Sequence, residues 1–443
     1  MTSYFIETHG CSLNQSDSEF MEGRLAESGW ERAESAESAD IVILNTCTVK
    51  DRTYYNFLNR LAFYEHLRRQ NEPKGKPVLL IAGCIPRAMP EDAHLSDYSL
   101  IGPNAIGEIA EAAKEALRGG KARRLDADGD FSRLNQPARR QNPVIEILPI
   151  SRGCLGECAY CQTRLARGRL VSYSMEDILN RLRRALDEGV KEIWLTAQDA
   201  GAWGLDAGNT LPKLLGAISA LEGDFRVRIG MANPNHILPI LEPLLDVFND
   251  RRFFRFLHLP LQSGSDRVLK LMNRAYSVGD YYKICEAIYT RDSEFSIATD
   301  VIAGFPGETE DDFLETLEAL ERTRPAVVNR SKFGARPKTP AALMPQHRAS
   351  IITERSAHLS KLVERISLEN NRRWVGRRCR VLIDIAKRKG SVISRNDYYK
   401  SIIISHEGRS AEEIARLSPG FFCRVELVEA STYHLIGNPF PAL

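Results

Sequence analysis

Nine cysteines occur in the chain, and six fall into two sets of three whose spacing could do chemistry. Cys154, Cys158 and Cys161 stand as C-x3-C-x2-C within a loop that reads SRGCLGECAYC. A structural zinc site wants four ligands, and no histidine or further cysteine lies nearby. Three thiolates on a four-iron cluster leave one iron open to a ligand, which is a catalytic arrangement rather than a storage one. The second set, Cys11, Cys47 and Cys84, is separated by 36 and 37 residues. One cysteine alone is more often a small buried hydrophobe than a ligand. Three at equivalent places in a repeating pattern point to metal ligation.

That pattern is strand then helix. Tyr4 to Thr8 is a β-type run before Cys11, DIVILNT ends at Cys47, and PVLLIAG ends at Cys84. Ser16 with Glu19 three positions later reads as a capping box opening a helix that stops at Gly29. Parallel strands joined by right-handed crossovers point the same way, so the three cysteines should emerge at one carboxyl edge of one sheet.

The 443 residues exceed one ordinary core. Residues 118–142 are rich in Gly, Arg, Asp and Gln and read as a linker. Beyond it, strands at Val144 to Ile150, Glu192 to Thr196, Arg226 to Met231, Phe253 to Leu259 and Ser296 to Ile302 alternate with helices, among them Ser174 to Glu188. Such spacing closes into a barrel or partial barrel with ligands at the carboxyl ends. TAQDAGAWG, MANP, HLPLQSGSD and TDVIAGFPGET occupy those ends. The last lacks G-K-[ST], so a phosphate loop is not expected.

Net charge is only +2, but residues 372–400 hold ten basic side chains against two aspartates. A confined basic stripe is what a phosphate-binding module shows, with a solvated strand face as the alternative. No apolar run is long enough to span a bilayer and Met1 to Gly10 is no signal peptide, so a cytoplasmic protein without membrane partners is expected. Disulfides are not expected there. Cys285, Cys379 and Cys423 read as core packing, and His9, His258 and His434 have no partner visible in sequence.

These segments resemble the radical S-adenosylmethionine (SAM) methylthiotransferase family. The likeness rests on the C-x3-C-x2-C loop, GFPGE, HLPLQSGSD, THGCSLNQSDSE, NTCTV and AGC. A carboxyl-terminal stretch from NRRWVGRRCRVLI through RNDYYKSIII to VELVEASTYHLIGNP is similar to the small TRAM β-barrel that holds RNA. CQTRLARGRL is most similar to the archaeal and eukaryotic branch acting on N6-threonylcarbamoyladenosine (t6A) in tRNA, here without the eukaryotic membrane anchor. Ala197 and Lys338 depart from the family pattern, each standing where glycine is usual.

The resemblance implies an α/β protein in three units: a flavodoxin-like amino-terminal domain (1–118), a partial (β/α) radical-SAM barrel (143–371) after the linker, and an all-β TRAM barrel (372–438). It implies two [4Fe-4S] clusters. Cys154, Cys158 and Cys161 would hold the one that cleaves SAM to a 5′-deoxyadenosyl radical, and Cys11, Cys47 and Cys84 an auxiliary one carrying the sulfur. Tyr160, Gln198, Gln262, Asp300, Gly304 and Glu308 are the candidates for SAM, with no catalytic residue expected beyond the cluster ligands. Arg336, Arg377, Arg378, Lys387, Arg388 and Lys389 are the candidates for the tRNA, Arg336 for the substrate carboxylate. The implied reaction is sulfur insertion and methylation at C2 of t6A at position 37, with an electron donor and a sulfur source as partners. Isopentenyl-adenosine tRNA, a ribosomal-protein aspartate, and a non-catalytic iron-sulfur RNA-binding protein are the alternatives.

Overall fold

The computed structural model describes residues 1–48, 51–71, 76–126, 133–387 and 390–440. Six parallel strands form the first sheet: β1 (Ser3–Thr8), β2 (Glu31–Arg32), β3 (Ile41–Thr46), β4 (Val78–Gly83), β5 (Ser99–Ile101) and β6 (Arg123–Arg124). Their order, β2-β1-β3-β4-β5-β6, is the doubly wound flavodoxin-like order with one more edge strand. β3 is buried along its whole length, as its unbroken apolar run requires of a central parallel strand.

The first helix spans Ser12–Glu27 and begins at Cys11, not at Ser16. Ser16 and Glu19 lie buried inside it, so the S-x-x-E pattern is no capping box here. The described residues of the segment read as a linker pack on the first domain. Arg123–Arg124 extends the sheet, and Arg133 to Gln141 runs along the first helix, where Arg139 N–H donates to the Glu19 carbonyl (2.9 Å) and Gln141 N–H to Glu19 Oε1 (3.0 Å).

Two three-stranded parallel sheets follow. β7 (Ile145–Pro149), the short hairpin strands β8 (Ser151–Arg152) and β9 (Val171–Ser172), then β10 (Glu192–Thr196) and β11 (Arg226–Ile229) precede β12 (Phe256–His258), β13 (Ser296–Ala303) and β14 (Val327–Lys332). The orders are β11-β10-β7 and β12-β13-β14, and a parallel bridge from Val227 to Phe253 joins them into an open barrel. The helix Met175–Asp187 begins where Ser174 accepts from Asp177 N–H (3.0 Å).

β15 (Arg378–Lys387), β16 (Ser391–Asn396), β17 (Ser401–Ser405), β18 (Phe422–Ala430) and β19 (Leu435–Pro439) close a small barrel in the order β15-β16-β17-β19-β18. It sits against the amino ends of the large barrel's strands. Arg380 binds Asp224 (2.6 Å), Arg226 binds Asp397 (3.2 Å), and Arg377 binds Glu294.

Candidate functional site

Cys11, Cys47 and Cys84 lie at the carboxyl ends of β1, β3 and β4, which straddle the switch point between β1 and β3. Cys47 is buried between the other two and shares a hydrogen bond with each. Asn14 and Asn45 fix the strand ends: Asn14 Nδ2 donates to the Thr46 carbonyl (2.9 Å) and Asn45 Nδ2 to the Asn14 carbonyl (2.8 Å). Gly83 has φ +93, and a Cβ there would come within 2.4 Å of Asn45 Oδ1 and the Thr46 carbonyl, so the turn into Cys84 requires glycine.

The hydrogen bond from Cys47, supported by the Arg167 charge against the cost of burial, lowers the Cys11 thiol to about 6 and the Cys84 thiol to about 7. Arg167 ends the helix Thr163–Arg167, six residues past Cys161, and is itself buried. It is anchored to Asp17 of the first helix (2.6 Å), and Arg133 binds the same carboxylate.

The second trio occupies the loop after β8. Each sulfur accepts one hydrogen bond: Cys154 from Gly156 N–H (3.2 Å), Cys158 from Arg274 Nη1 (3.2 Å) and Cys161 from Thr163 N–H (3.3 Å). Burial pushes the Cys154 thiol up to about 12. Arg274 also reaches Asn233 Oδ1, and Asn233 Nδ2 donates to Asp199 (2.6 Å), which pairs with His236 (2.6 Å). Asp199 and Asn233 belong to the TAQDAGAWG and MANP segments expected at the strand ends, but Arg167 and Arg274 are not among the residues expected at the site. Only three-dimensional proximity distinguishes these two arginines from the chain's many others.

Among the described residues no three Cys, His, Asp or Glu side chains close on one point as a single metal ion requires. A four-iron cube asks for something else, one thiolate per iron, with hydrogen-bond donors to the sulfurs setting its potential. Both trios meet that chemistry, with three thiols and a cationic side chain each.

The residues expected at SAM lie in the loop after β8 (Tyr160), just past β10 (Gln198) and β12 (Gln262), and in or just past β13 (Asp300, Gly304, Glu308). Tyr160 packs edge-on against Phe305 (6.2 Å between ring centres). Gln198 Oε1 is buried without a partner among the described residues, and so is Glu308 Oε1. The other Glu308 oxygen accepts from Gly304 N–H and from Arg355 (2.8 Å each), so Glu308 also clamps the GFPGE turn. Gln262 holds φ +66, and its N–H donates to the Asp300 carbonyl (2.7 Å). Asp300 accepts from His258 Nε2 (3.0 Å) and Asn329 Nδ2 (2.9 Å). The orphaned acceptors fit a ligand that brings N–H and O–H groups, as SAM does.

Arg336 donates to the Thr48 carbonyl, one residue past Cys47, and its charge also acts on Cys161, so it stands between the trios. Ser12 Oγ and Thr196 Oγ1 meet at 2.7 Å across the same interface, and Ala88 packs near Ala166. Cys285 is buried in the core, and Cys379 and Cys423 pack against the small barrel's core.

The basic run is not one face, which corrects the expected stripe. Arg377 faces Glu294 and stacks on Trp374 (5.0 Å), Arg395 is paired with buried Asp384 (3.1 Å), and Lys400 is buried. Strand alternation turns Arg395 of β16 inward, while Arg377 and Lys400 stand just before β15 and β17. Arg378 remains exposed at 64% and pairs with Glu426 (3.0 Å). Lys387 ends β15, while Arg388 and Lys389 lie outside the described residues.

Two family models match: the Radical SAM superfamily over residues 148–320 and the Uncharacterized protein family UPF0004 over residues 3–99. A probable threonylcarbamoyladenosine tRNA methylthiotransferase of Pyrococcus horikoshii is 39% identical over 440 residues, covering 99% of each chain. The threonylcarbamoyladenosine tRNA methylthiotransferase of Homo sapiens is 37% identical over 98% of this chain and 73% of its own. Among solved structures, the radical SAM methyltransferase TsrM of Kitasatospora setae superposes with a TM-score of 0.57 at 14% identity, covering 77% of this chain and 75% of that one, a likeness of fold alone.

Proposed function

The chain belongs to the threonylcarbamoyladenosine tRNA methylthiotransferase family, and from that premise we propose that it converts t6A at position 37 of tRNA to its 2-methylthio derivative. The observation that carries this reading is the convergence of two three-cysteine sites on one interface, tied by Arg167–Asp17 and by Arg336–Thr48. Two four-iron clusters and SAM, when bound, supply reductive cleavage of a sulfonium bond and the sulfur that is inserted and methylated.

The chain's own part is position and environment. Cys154, Cys158 and Cys161 would hold the SAM-cleaving cluster and Cys11, Cys47 and Cys84 the auxiliary one. Arg274 holds the Cys158 sulfur and, through Asn233, the buried Asp199. Tyr160, Gln198, Gln262, Asp300, Gly304 and Glu308 line the SAM site in this reading. Arg336 registers the two cysteine sites against each other. The carboxyl-terminal barrel, with Arg378, Lys387, Arg388 and Lys389, takes the RNA backbone. An electron donor and a sulfur source complete the reaction in the cytoplasm.

The test compares turnover on tRNA bearing t6A, tRNA bearing isopentenyl-adenosine and unmodified tRNA, under identical anaerobic conditions, by mass spectrometry of nucleosides. Methylthiolation should be confined to the t6A form. A site that hydrogen-bonds the threonyl group strands its polar partners when offered an apolar one. Equal turnover on the isopentenyl form would assign the sister activity instead.

A further inference from the structure

The large barrel encloses a chamber of about 340 Å³, at the small end of the ~300–1,000 Å³ usual for ligand sites. It is lined by inward positions of four neighbouring strands, among them Arg228, Phe256, His258 and Asn329, and by Tyr399 and Lys400 of the small barrel. Among the described residues no Asp or Glu lines it.

Neither of its two central cations forms a close ion pair among the described residues. Arg228 lies among the rings of Trp194, Phe256 and Tyr399 at 5.6, 5.4 and 5.3 Å, and its Nε is buried without a hydrogen bond among the described residues. Lys400, 9% exposed, has one long ammonium contact among the described residues, to Asn371 Oδ1 at 3.4 Å, although an ammonium offers three donors. Behind the wall lie Glu192, bonded to Trp194 Nε1 (2.6 Å), and Asp384, paired with Arg395 (3.1 Å). Neither of these carboxylates forms a close ion pair with Arg228 or Lys400 among the described residues. Leaving a cation buried and unpaired is costly unless an anion joins it.

At its other end the chamber meets the candidate SAM site, since His258 and Asn329 both line it and both donate to Asp300. A base whose C2 reacts at this edge can send a polar substituent down into the barrel. The RNA phosphates cannot follow, because a splayed nucleotide enters base first.

We propose that this chamber receives the N6 side group of the target adenosine and that Arg228 binds its carboxylate, making Arg228 a specificity-determining residue. The inference rests on the t6A reading above. It places the carboxylate at Arg228 and leaves Arg336 between the trios.

The experiment measures affinities of reconstituted protein for anticodon stem-loop RNA with and without t6A, by fluorescence anisotropy, in wild type, Arg228→Met, Arg228→Lys and Arg336→Ala. A charge-assisted contact should give wild type a preference of roughly ten- to hundredfold for the modified RNA. Arg228→Met should lose most of that ratio, Arg228→Lys should recover part of it, and Arg336→Ala should keep it. Melting curves establish that each variant is folded, and Arg228→Lys carries the test if the methionine variant is not. A ratio that survives in Arg228→Met, or in Arg228→Lys if only that variant folds, overturns the chamber while leaving t6A as substrate. Equal weakening toward both RNAs would mean that Arg228 meets a phosphate, which also overturns it. Absence of any wild-type preference, together with no methylthio product on t6A RNA, would defeat the t6A reading itself and the proposal with it.

Discussion

The two cysteine sites reach similar chemistry by opposite routes. The loop trio is local, its first and last cysteines seven positions apart, and its sulfurs take hydrogen bonds from Gly156, Thr163 and Arg274. The strand-end trio is assembled by a sheet from residues as distant as Cys11 and Cys84, and its supporting charge, Arg167, comes from the other unit. A local loop keeps its ligands whenever the loop forms. A trio made from three strand ends and a neighbour's arginine exists only while both units are folded and docked.

The largest test separates the two roles. Anaerobically reconstituted wild type should bind about eight iron atoms, two four-iron clusters. Replacing Cys154, Cys158 and Cys161 with Ala should abolish 5′-deoxyadenosine formation. Replacing Cys11, Cys47 and Cys84 should spare that step, stop sulfur insertion and halve the iron. Methylthio product from the second variant, or zinc in place of iron, would undo the division.

Docking comes next. Asp17 is buried between Arg167 and Arg133, so Asp17→Asn leaves two buried guanidinium groups without their carboxylate. Breaking such a pair costs ~3–5 kcal/mol. Chemical denaturation should show a loss of that order, with the strand-end cluster lost at lower denaturant than the loop cluster. The two arginines hold the Asp17 carboxyl well below its ordinary range against the cost of burial. Its stabilisation is therefore present above the unfolded pKa of ~3.9 and is lost as pH falls through the lower folded value. The gap between wild type and variant should narrow in acid below pH ~4, and a constant gap would place the effect elsewhere.

Much of this is legible in the residues. DIVILNT and PVLLIAG are continuous apolar runs ending in cysteine, and parallel topology alone brings their ends together. The loop trio is visible from spacing. The start of the first helix misleads because Ser16 and Glu19 match a capping box, yet the helix starts at Cys11, where the sheet edge ends. Arg167 and Arg274 escape a reading of the sequence because their partners lie 150 and 116 residues away along the chain. The basic run misleads because a charge count cannot tell which side chains a strand turns inward. Arg395 and Lys400 carry the same formal charge as Arg378, but only Arg378 is well exposed.

That distinction sets a smaller test. Changing Arg378, Lys387, Arg388 and Lys389 to Gln should lower the slope of log affinity against log salt for tRNA by ~0.9 for each duplex-like phosphate that is no longer neutralised. Arg377 is left out because its loss would break the seam at Glu294. An unchanged slope would return these residues to an ordinary solvated face.

The smallest effect is expected at the turn that straps the loop trio. Lys338 has φ +63, a left-handed conformation, in a turn held by Gln162 Nε2 donating to the Pro337 carbonyl (2.8 Å) and by Thr339 N–H donating to the Arg336 carbonyl (3.2 Å). A side chain in this conformation costs ~1–2 kcal/mol per residue. Lys338→Gly removes that strain but gives the unfolded chain more freedom, which offsets ~0.4–1 kcal/mol. The net gain should be about 1 kcal/mol or less, seen as a higher urea midpoint with an unchanged m-value. Lys338→Asn should fall between the two, since asparagine tolerates the left-handed region better than lysine. A glycine variant less stable than wild type would mean that the lysine side chain contributes more than its backbone strain costs. The turn beside Cys161 would then be held by the Lys338 side chain as well as by Gln162.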